Sequence, residues 1–173
     1  NPLHGERRPG WVGLPFAGVN IRVDPSGELL VKTPAGSPGY LTPVEADLPV
    51  DGDGYFATGD LVERDENGWI RIAGRSSDLI ITGGVNVFPA EVEAVLLAVD
   101  GVADVAVAGR PSEEWGEEVV AWVIPLGASL DLAALRKAAE ASLRPSARPK
   151  RYIQCAEFPR TELGKVQRRA LPE

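Results

Sequence analysis

The chain has 173 residues, 44% hydrophobic and 25% charged, enough for one full domain or one domain plus a piece of another. Its net charge of −7 argues against a nucleic-acid partner, and no run of about 18 apolar residues is present, so no membrane span is predicted. A single cysteine, Cys155, excludes an internal disulfide and fits a reducing cytoplasm.

The chain opens Asn1-Pro2-Leu3, holds no methionine and shows no basic-then-apolar leader, so it reads as a fragment or a processed product. Val19 to Val23 alternates, Asp24-Pro25-Ser26-Gly27 turns, and Leu29 to Lys32 runs again, which predicts a β-hairpin followed by a loop from Thr33 to Tyr40. Asp51-Gly52-Asp53-Gly54 is a turn, and Tyr55 to Thr58 a short strand ending at Gly59-Asp60. Leu61 to Arg64 and Trp69 to Ala73 form a second hairpin, with Asn67-Gly68 as its turn signal. This stretch has little core of its own and reads as part of a larger β-structure. Gly74-Arg75-Ser76-Ser77-Asp78 breaks the pattern and predicts a domain boundary, giving residues 1–76 and 77–173.

Beyond it, Leu79-Ile80-Ile81 is apolar and Gly83-Gly84 is a flexible turn. Pro89 opens a helix with Glu91 and Glu93 in its first turn, and Val92, Val95, Leu96 and Val99 make its buried stripe. Gly101 terminates it. Val102 to Ala108 and Val119 to Ile124 read as strands. Ser129 or Asp131 caps a second helix striped by Leu132, Leu135, Ala139 and Leu143. Tyr152 to Cys155 is a further strand, and Val166 to Leu171 a short terminal helix. The second part is therefore predicted as an α+β domain, a small sheet covered by helices, preceded by β-hairpins. No internal repeat is read.

One histidine, His4, and one cysteine cannot build the usual metal clusters or a Ser–His–Asp triad, so no metal ligand is assigned. Cys155 reads as a small apolar packing residue. The carboxylate of Asp60, at the end of a strand, can accept from two adjacent hydroxyls, as a ribose diol requires; equally, it can cap a turn. Arg75 returns beside it across one hairpin, to touch the same sugar or a phosphate, or to form a surface pair with Asp60. Gly83 and Gly84 permit close backbone approach to a ligand ahead of a helix start; equally, the stretch is a loop with an Asn turn at Asn86. Lys165, behind Gly164 on a loop opened by Pro159, is a compact mobile charge suited to phosphate or a developing carboxylate–phosphate charge; taken alone, a Gly-Lys pair is equally a solvated turn. Residues 144–169 carry eight basic residues against two acidic ones, a field that would attract a polyanionic small molecule such as ATP or coenzyme A.

Taken in order, these segments resemble the adenylate-forming superfamily of acyl- and aryl-CoA ligases, luciferases and peptide-synthetase adenylation domains. The resemblance rests on Gly27-Glu28-Leu29 with Gly39-Tyr40, on Tyr55 through Thr58-Gly59-Asp60, on Gly74-Arg75 through Gly83-Gly84-Val85-Asn86 to Glu93, and on Pro159-Arg160-Thr161-Glu162-Leu163-Gly164-Lys165. It implies the C-terminal portion of an AMP-forming acid–CoA ligase, with fatty or medium-chain acids suggested by the Asn86 to Glu91 form. Lys165 would be catalytic in adenylation, and Asp60 and Arg75 would hold the nucleotide. Ser77 would be the pivot of a mobile lid domain, and Gly83, Gly84 and Asn86 would line a coenzyme A tunnel. ATP, Mg2+, coenzyme A, a carboxylic acid and the remainder of an N-terminal domain are the implied cofactors and partners, with Mg2+ held mainly outside this chain. Two departures stand out: Ser77 replaces the family's common Asp or Lys, and Ala57 replaces a common basic residue. A carrier-protein-loading enzyme and a non-catalytic module that binds nucleotide or coenzyme A, or docks on a partner subunit, are the alternative readings.

Overall fold

The computed structural model describes residues 5–37, 39–40, 46–47 and 50–173; His4 and the Asn1-Pro2-Leu3 opening lie outside these residues. The chain divides into two compact units, Asn1–Ser77 and Asp78–Glu173. Among the described residues no helix is long and apolar enough to cross a membrane.

The first unit is built from strands β1 (Asn20–Val23), β2 (Glu28–Lys32), β3 (Gly39–Tyr40), β4 (Ala46–Asp47), β5 (Phe56–Arg64) and β6 (Ile70–Arg75). The order β1-β2-β5-β6 makes one antiparallel sheet, and β3 pairs with β4. Two predicted breaks are absorbed into strands. Gly59 adopts φ +74° inside β5, so the chain kinks and pairing continues to Arg64. β6 likewise carries Gly74 and Arg75, which pair with Leu61 and Asp60.

One five-residue loop recurs three times in this unit, at 24–28, 51–55 and 65–69. Each begins with Asp and has Gly in fourth place at positive φ: Gly27 at 90°, Gly54 at 81° and Gly68 at 84°. The Asp amide donates to the fifth residue's carbonyl, at 3.0, 2.8 and 3.0 Å, and the Gly amide donates back to the Asp carbonyl at 3.0, 2.9 and 3.0 Å. Each carboxylate accepts two further amides, from Ser26 and Glu28, from Asp53 and Tyr55, and from Asn67 and Trp69. Asn67-Gly68 is thus not the two-residue turn its dipeptide predicts. Only the glycine has positive φ, and Asp65 closes the loop.

The Ser26 hydroxyl holds Asp24 below the usual carboxylate range, and the Tyr55 amide does the same for Asp51. A carboxylate depressed in the folded state contributes stability above its ordinary value near ~3.9, and that contribution fades as pH falls through the folded value. The thermal midpoint of the chain is therefore expected to drop between about pH 4 and pH 2, and Asp51→Asn to shrink the drop. Circular dichroism melts check this; identical pH profiles for the two proteins would contradict it.

The second unit contains β7 (Ile80–Thr82), β8 (Val85–Val87), α1 (Pro89–Leu97), β9 (Val102–Ser112), β10 (Gly116–Pro125), α2 (Leu132–Ser142) and β11 (Arg151–Gln154). Its architecture is α+β. β10 pairs antiparallel with β9 along its length, parallel with β11 at Val120–Val123, and with β7 at Gly116. β8 lies in a stretch read as loop; a three-residue strand after Gly-Gly gives no periodicity to detect. The Asp131 carboxylate accepts the Ala134 amide at 2.9 Å and caps α2. Leu132, expected in the buried stripe, is instead exposed, and the stripe is Leu135, Ala139 and Leu143. The expected terminal helix is a single 3-10 turn, Arg168–Ala170.

The apolar runs of β9 and β10 are buried on both faces. Val105, Val107, Val119, Ala121 and Val123 pack under α1 and α2 with Val92, Leu96, Leu135 and Ala139. The alternate residues Ala106, Ala108, Val120 and Trp122 pack under the C-terminal segment through Phe158 and Leu171. This explains why these strands read as continuous apolar runs rather than alternating ones. Cys155 is half-buried against that second layer, and burial pushes its thiol up. The helices therefore cover one face only, and the segment that carries Lys165 covers the other.

Candidate functional site

Residues expected to act gather at three places. The first is the β5–β6 corner of the first unit. Asp60 and Arg75 are register partners, and the Arg75 Nε stands 3.0 Å from Asp60 Oδ1. Arg75 Nη1 also donates to the Thr58 carbonyl at 2.7 Å. The Thr58 hydroxyl donates to the Leu29 carbonyl at 2.8 Å and accepts the Asp60 amide at 3.1 Å. Gly59 donates its amide to Glu28 Oε1 at 2.8 Å, and Ser76 Oγ donates to the Gly59 carbonyl at 3.3 Å. A Cβ on Gly59 would lie 3.4 Å from Arg75 Nη1, so the glycine serves both the positive φ and the passage of the guanidinium. The corner thus offers a partly exposed carboxylate beside an aligned cation. A vicinal diol next to an anion matches that donor set.

The second place is the β7–β8 hairpin. Gly83 and Gly84 form its tip with φ +56° and +76°. The Gly83 amide donates to the Trp115 carbonyl at 2.9 Å, and the indole lies so close that a Cβ on Gly83 would stand 2.9 Å from Trp115 Cε3. Glu117 Oε2 accepts the Ile81 amide at 2.7 Å, which fastens the hairpin to β10. The Asn86 carbonyl accepts Arg144 Nη2 at 2.6 Å. Trp115 is half exposed, with Lys150 Nζ 5.7 Å from its ring centroid. Gly83→Ala is expected to displace the indole and strain the turn, costing about 1–3 kcal/mol. A shifted tryptophan emission maximum and a lowered thermal midpoint check it; native values for both would contradict it.

The third place is the Lys165 loop. Thr161 donates its amide to the Lys165 carbonyl at 2.8 Å, and Gly164, at φ +80°, donates to the Thr161 carbonyl at 2.8 Å. Arg160 Nη1 donates to the Gly164 carbonyl at 2.8 Å, and Arg160 Nη2 to Asp104 Oδ2 on β9 at 2.7 Å. The loop hangs between two buried pegs, Phe158 and Leu171. Arg110 Nη2 bonds the Leu171 carbonyl at 2.8 Å and Trp122 Nε1 bonds the Pro172 carbonyl at 2.7 Å. Lys165 itself is exposed, and no carboxylate among the described residues forms an ion pair with it. The loop is tied down by these bonds, and the lysine read from the sequence as a mobile charge extends from it as an exposed side chain. Ser77, the expected pivot, is exposed in the 3-10 turn Ser76–Asp78 and closes the first unit.

Residues 91–165 match the family profile described as the AMP-binding enzyme C-terminal domain. The chain is 39% identical over 99% of its length to a 2-succinylbenzoate–CoA ligase of Listeria monocytogenes, covering 37% of that protein. It is 37% identical over 94% of its length to a medium/long-chain-fatty-acid–acyl-carrier-protein ligase of Mycobacterium tuberculosis, covering 34% of it. Among solved structures, ATP-bound MatB from Rhodopseudomonas palustris superposes with a TM-score of 0.85 at 38% identity, over 98% of this chain and 36% of that one. The chain belongs to the adenylate-forming superfamily. It spans little more than a third of the length of the relatives it matches.

In this member of the adenylate-forming superfamily, several contributors escaped sequence reasoning. Glu28 enters the sequence reading only within the Gly27-Glu28-Leu29 segment and with no role of its own, although it fixes the Gly59 amide from 31 residues away. Arg168 bridges Glu93 Oε1 at 2.7 Å and Asp78 Oδ2 at 3.4 Å, and its Nε donates to the Val107 carbonyl at 3.0 Å. Glu93 accepts the Val107 amide at 2.8 Å, so the two side chains together satisfy the outer edge of β9. The same pairing revises the expected basic field. Arg144, Arg151, Arg160 and Arg168 each face a carboxylate contributed from elsewhere in the second unit.

Proposed function

We propose that this chain is the C-terminal part of an AMP-forming acid–CoA ligase, with residues 1–76 the end of its large domain and residues 77–173 its mobile lid. The observation that carries the reading is Lys165: an exposed amine, unopposed by a carboxylate among the described residues, on a loop fixed at both ends. In the first step a carboxylate oxygen attacks the α-phosphorus of ATP and pyrophosphate leaves. Lys165 lies against both anions and stabilises the charge that builds between them. Asp60 takes the ribose hydroxyls, and Arg75 steadies it and the neighbouring phosphate. In the second step the thiol of coenzyme A attacks the acyl carbon and AMP leaves. For this step the lid turns at Ser77 and brings Gly83, Gly84 and Asn86 to the pantetheine channel. Mg2+ is assigned to the preceding part of the enzyme, and the assembly to the cytoplasm.

The exposed Val12, Leu14, Phe16, Val50 and Ile72 of the first unit support its place in a larger β-structure. For the acid, the Asn86 to Glu91 form leads us to fatty or medium-chain acyl groups. The relationship to an acyl-carrier-protein ligase favours, as the second reading, a carrier thiol in place of coenzyme A. AMP release by the complete enzyme, screened over acids of graded length with each acceptor, tests both choices. The 173-residue chain alone is expected to release no pyrophosphate from ATP and acid. Release by the purified chain would overturn the division of labour proposed above.

A further inference from the structure

The loop that holds Lys165 is a fourth copy of the Asp loops of the first unit, with one change. Thr161-Glu162-Leu163-Gly164-Lys165 keeps the same backbone bonds, from the first residue's amide to the fifth carbonyl and from the Gly164 amide to the first carbonyl, each at 2.8 Å. Gly164 keeps the positive φ, at 80°. The fifth amide, that of Lys165, is accepted at 3.1 Å by Thr161 Oγ1. In the other three loops that acceptor is the carboxylate of Asp24, Asp51 or Asp65. In each of those loops the carboxylate accepts both the third and the fifth amide, whereas the Thr161 hydroxyl oxygen accepts only the fifth. For loop stability alone Asp is the better choice, yet the loop that carries the lysine lacks it.

We propose that Thr161 is a positioning residue that closes the Lys165 loop with an uncharged acceptor, leaving the ammonium undiminished for its anionic substrates. The argument rests on the role proposed for Lys165. A carboxylate at position 161 would be bonded to the lysine's own amide, at a separation from the ammonium comparable with the roughly 8 Å Debye length at physiological salt. It would draw the ammonium into an internal pair and repel the phosphate and carboxylate that the ammonium must serve. Glu162 is on the same loop but forms no ion pair with Lys165 among the described residues, and its neighbour Arg160 is engaged by Asp104 and the Gly164 carbonyl.

The test is a Thr161→Ala, Thr161→Asn and Thr161→Asp series, with Lys165→Ala as reference. In the complete ligase, pyrophosphate release reads adenylation, and thioester formation from supplied acyl-adenylate reads the second step. In the 173-residue chain, hydrogen exchange at the Gly164 and Lys165 amides reads loop closure. Thr161→Ala is expected to speed exchange and slow adenylation. Thr161→Asn is expected to recover both. Thr161→Asp is expected to recover slow exchange yet leave adenylation down by about tenfold or more, with thioester formation spared. An Asp variant that adenylates like the Asn variant overturns the proposal, as does one with an unprotected loop, or an Ala variant native in both readouts. If Lys165→Ala adenylates normally, the reading of Lys165 fails and this proposal with it. If Lys165→Ala is impaired and Thr161→Asp is not, this proposal alone fails.

Discussion

Lys165→Ala in the complete ligase is expected to slow acyl-adenylate formation about 100- to 1,000-fold and to leave thioester formation from supplied adenylate nearly intact. The magnitude follows from what the lysine would do. It would place one full charge where the two anions of the proposed first step approach each other, and the two arginines that flank it in the bonding network are already engaged. Arg160 is occupied by Asp104 and the Gly164 carbonyl, and Arg168 by Glu93 and the Val107 carbonyl. The asymmetry follows from the same geometry. The pegs Phe158 and Leu171 fix the loop to the second unit, so under the proposed turning of that unit the lysine would move with it and serve only the step for which it is presented. Lys165→Arg is expected to recover little, because a planar guanidinium cannot take the position of a compact ammonium. Single-turnover assays of the two half-reactions check the split. Equal losses in both steps would remove the assigned role, and a fallen thermal midpoint in place of a rate effect would reduce the lysine to a surface residue.

The parts of this fold that the sequence announces are those written in local spacing. The hairpin of β1 and β2, the first turn of α1, and the apolar runs of β9 and β10 all declare themselves within ten or so residues. The Asp60–Arg75 pairing is legible for the same reason, since one hairpin lies between the two and its register brings them together. What stays hidden is set by distance or by backbone sign. Glu93 and Arg168 are 75 residues apart, and neither carries a local mark of the other. The kinship of the four five-residue loops lies in amide directions and one positive φ, while their residue sequences share only the Gly in fourth place and a side-chain oxygen in the first. Trp115 carries no local mark of its contact with Gly83, 32 residues earlier.

The basic C-terminal stretch shows how folding trims a field that the count suggests. Its surplus is real in sequence, but folding hands Glu91, Asp104, Glu118, Glu93 and Asp78 to its arginines. The exposed pairs among these contribute little stability individually. Their larger effect is on selectivity of charge. They leave Arg148, Lys150, Lys165 and Arg169 as the cations of the stretch that form no ion pair among the described residues, so the surplus rests on four groups rather than eight.

Asp60→Ala is expected to raise the KM for ATP about 100-fold in the complete enzyme, with the KM for the acid little changed. Two bonds from a charged acceptor to a diol are at stake, each of the order of 1.5–3 kcal/mol when desolvated by a closed site, and Ala replaces neither. Arg75 keeps its bond to the Thr58 carbonyl at 2.7 Å in the variant, so the corner retains its shape while losing its acceptor. The ion pair itself is largely solvated on the arginine side, with 47% of that side chain exposed, so the thermal midpoint should move little. Asp60→Asn separates charge from shape: it keeps one acceptor oxygen, loses the attraction for Arg75, and should fall between the two. The opposite pattern, an unchanged KM for ATP with a lowered midpoint, would mean that the carboxylate clamps two strands and binds nothing.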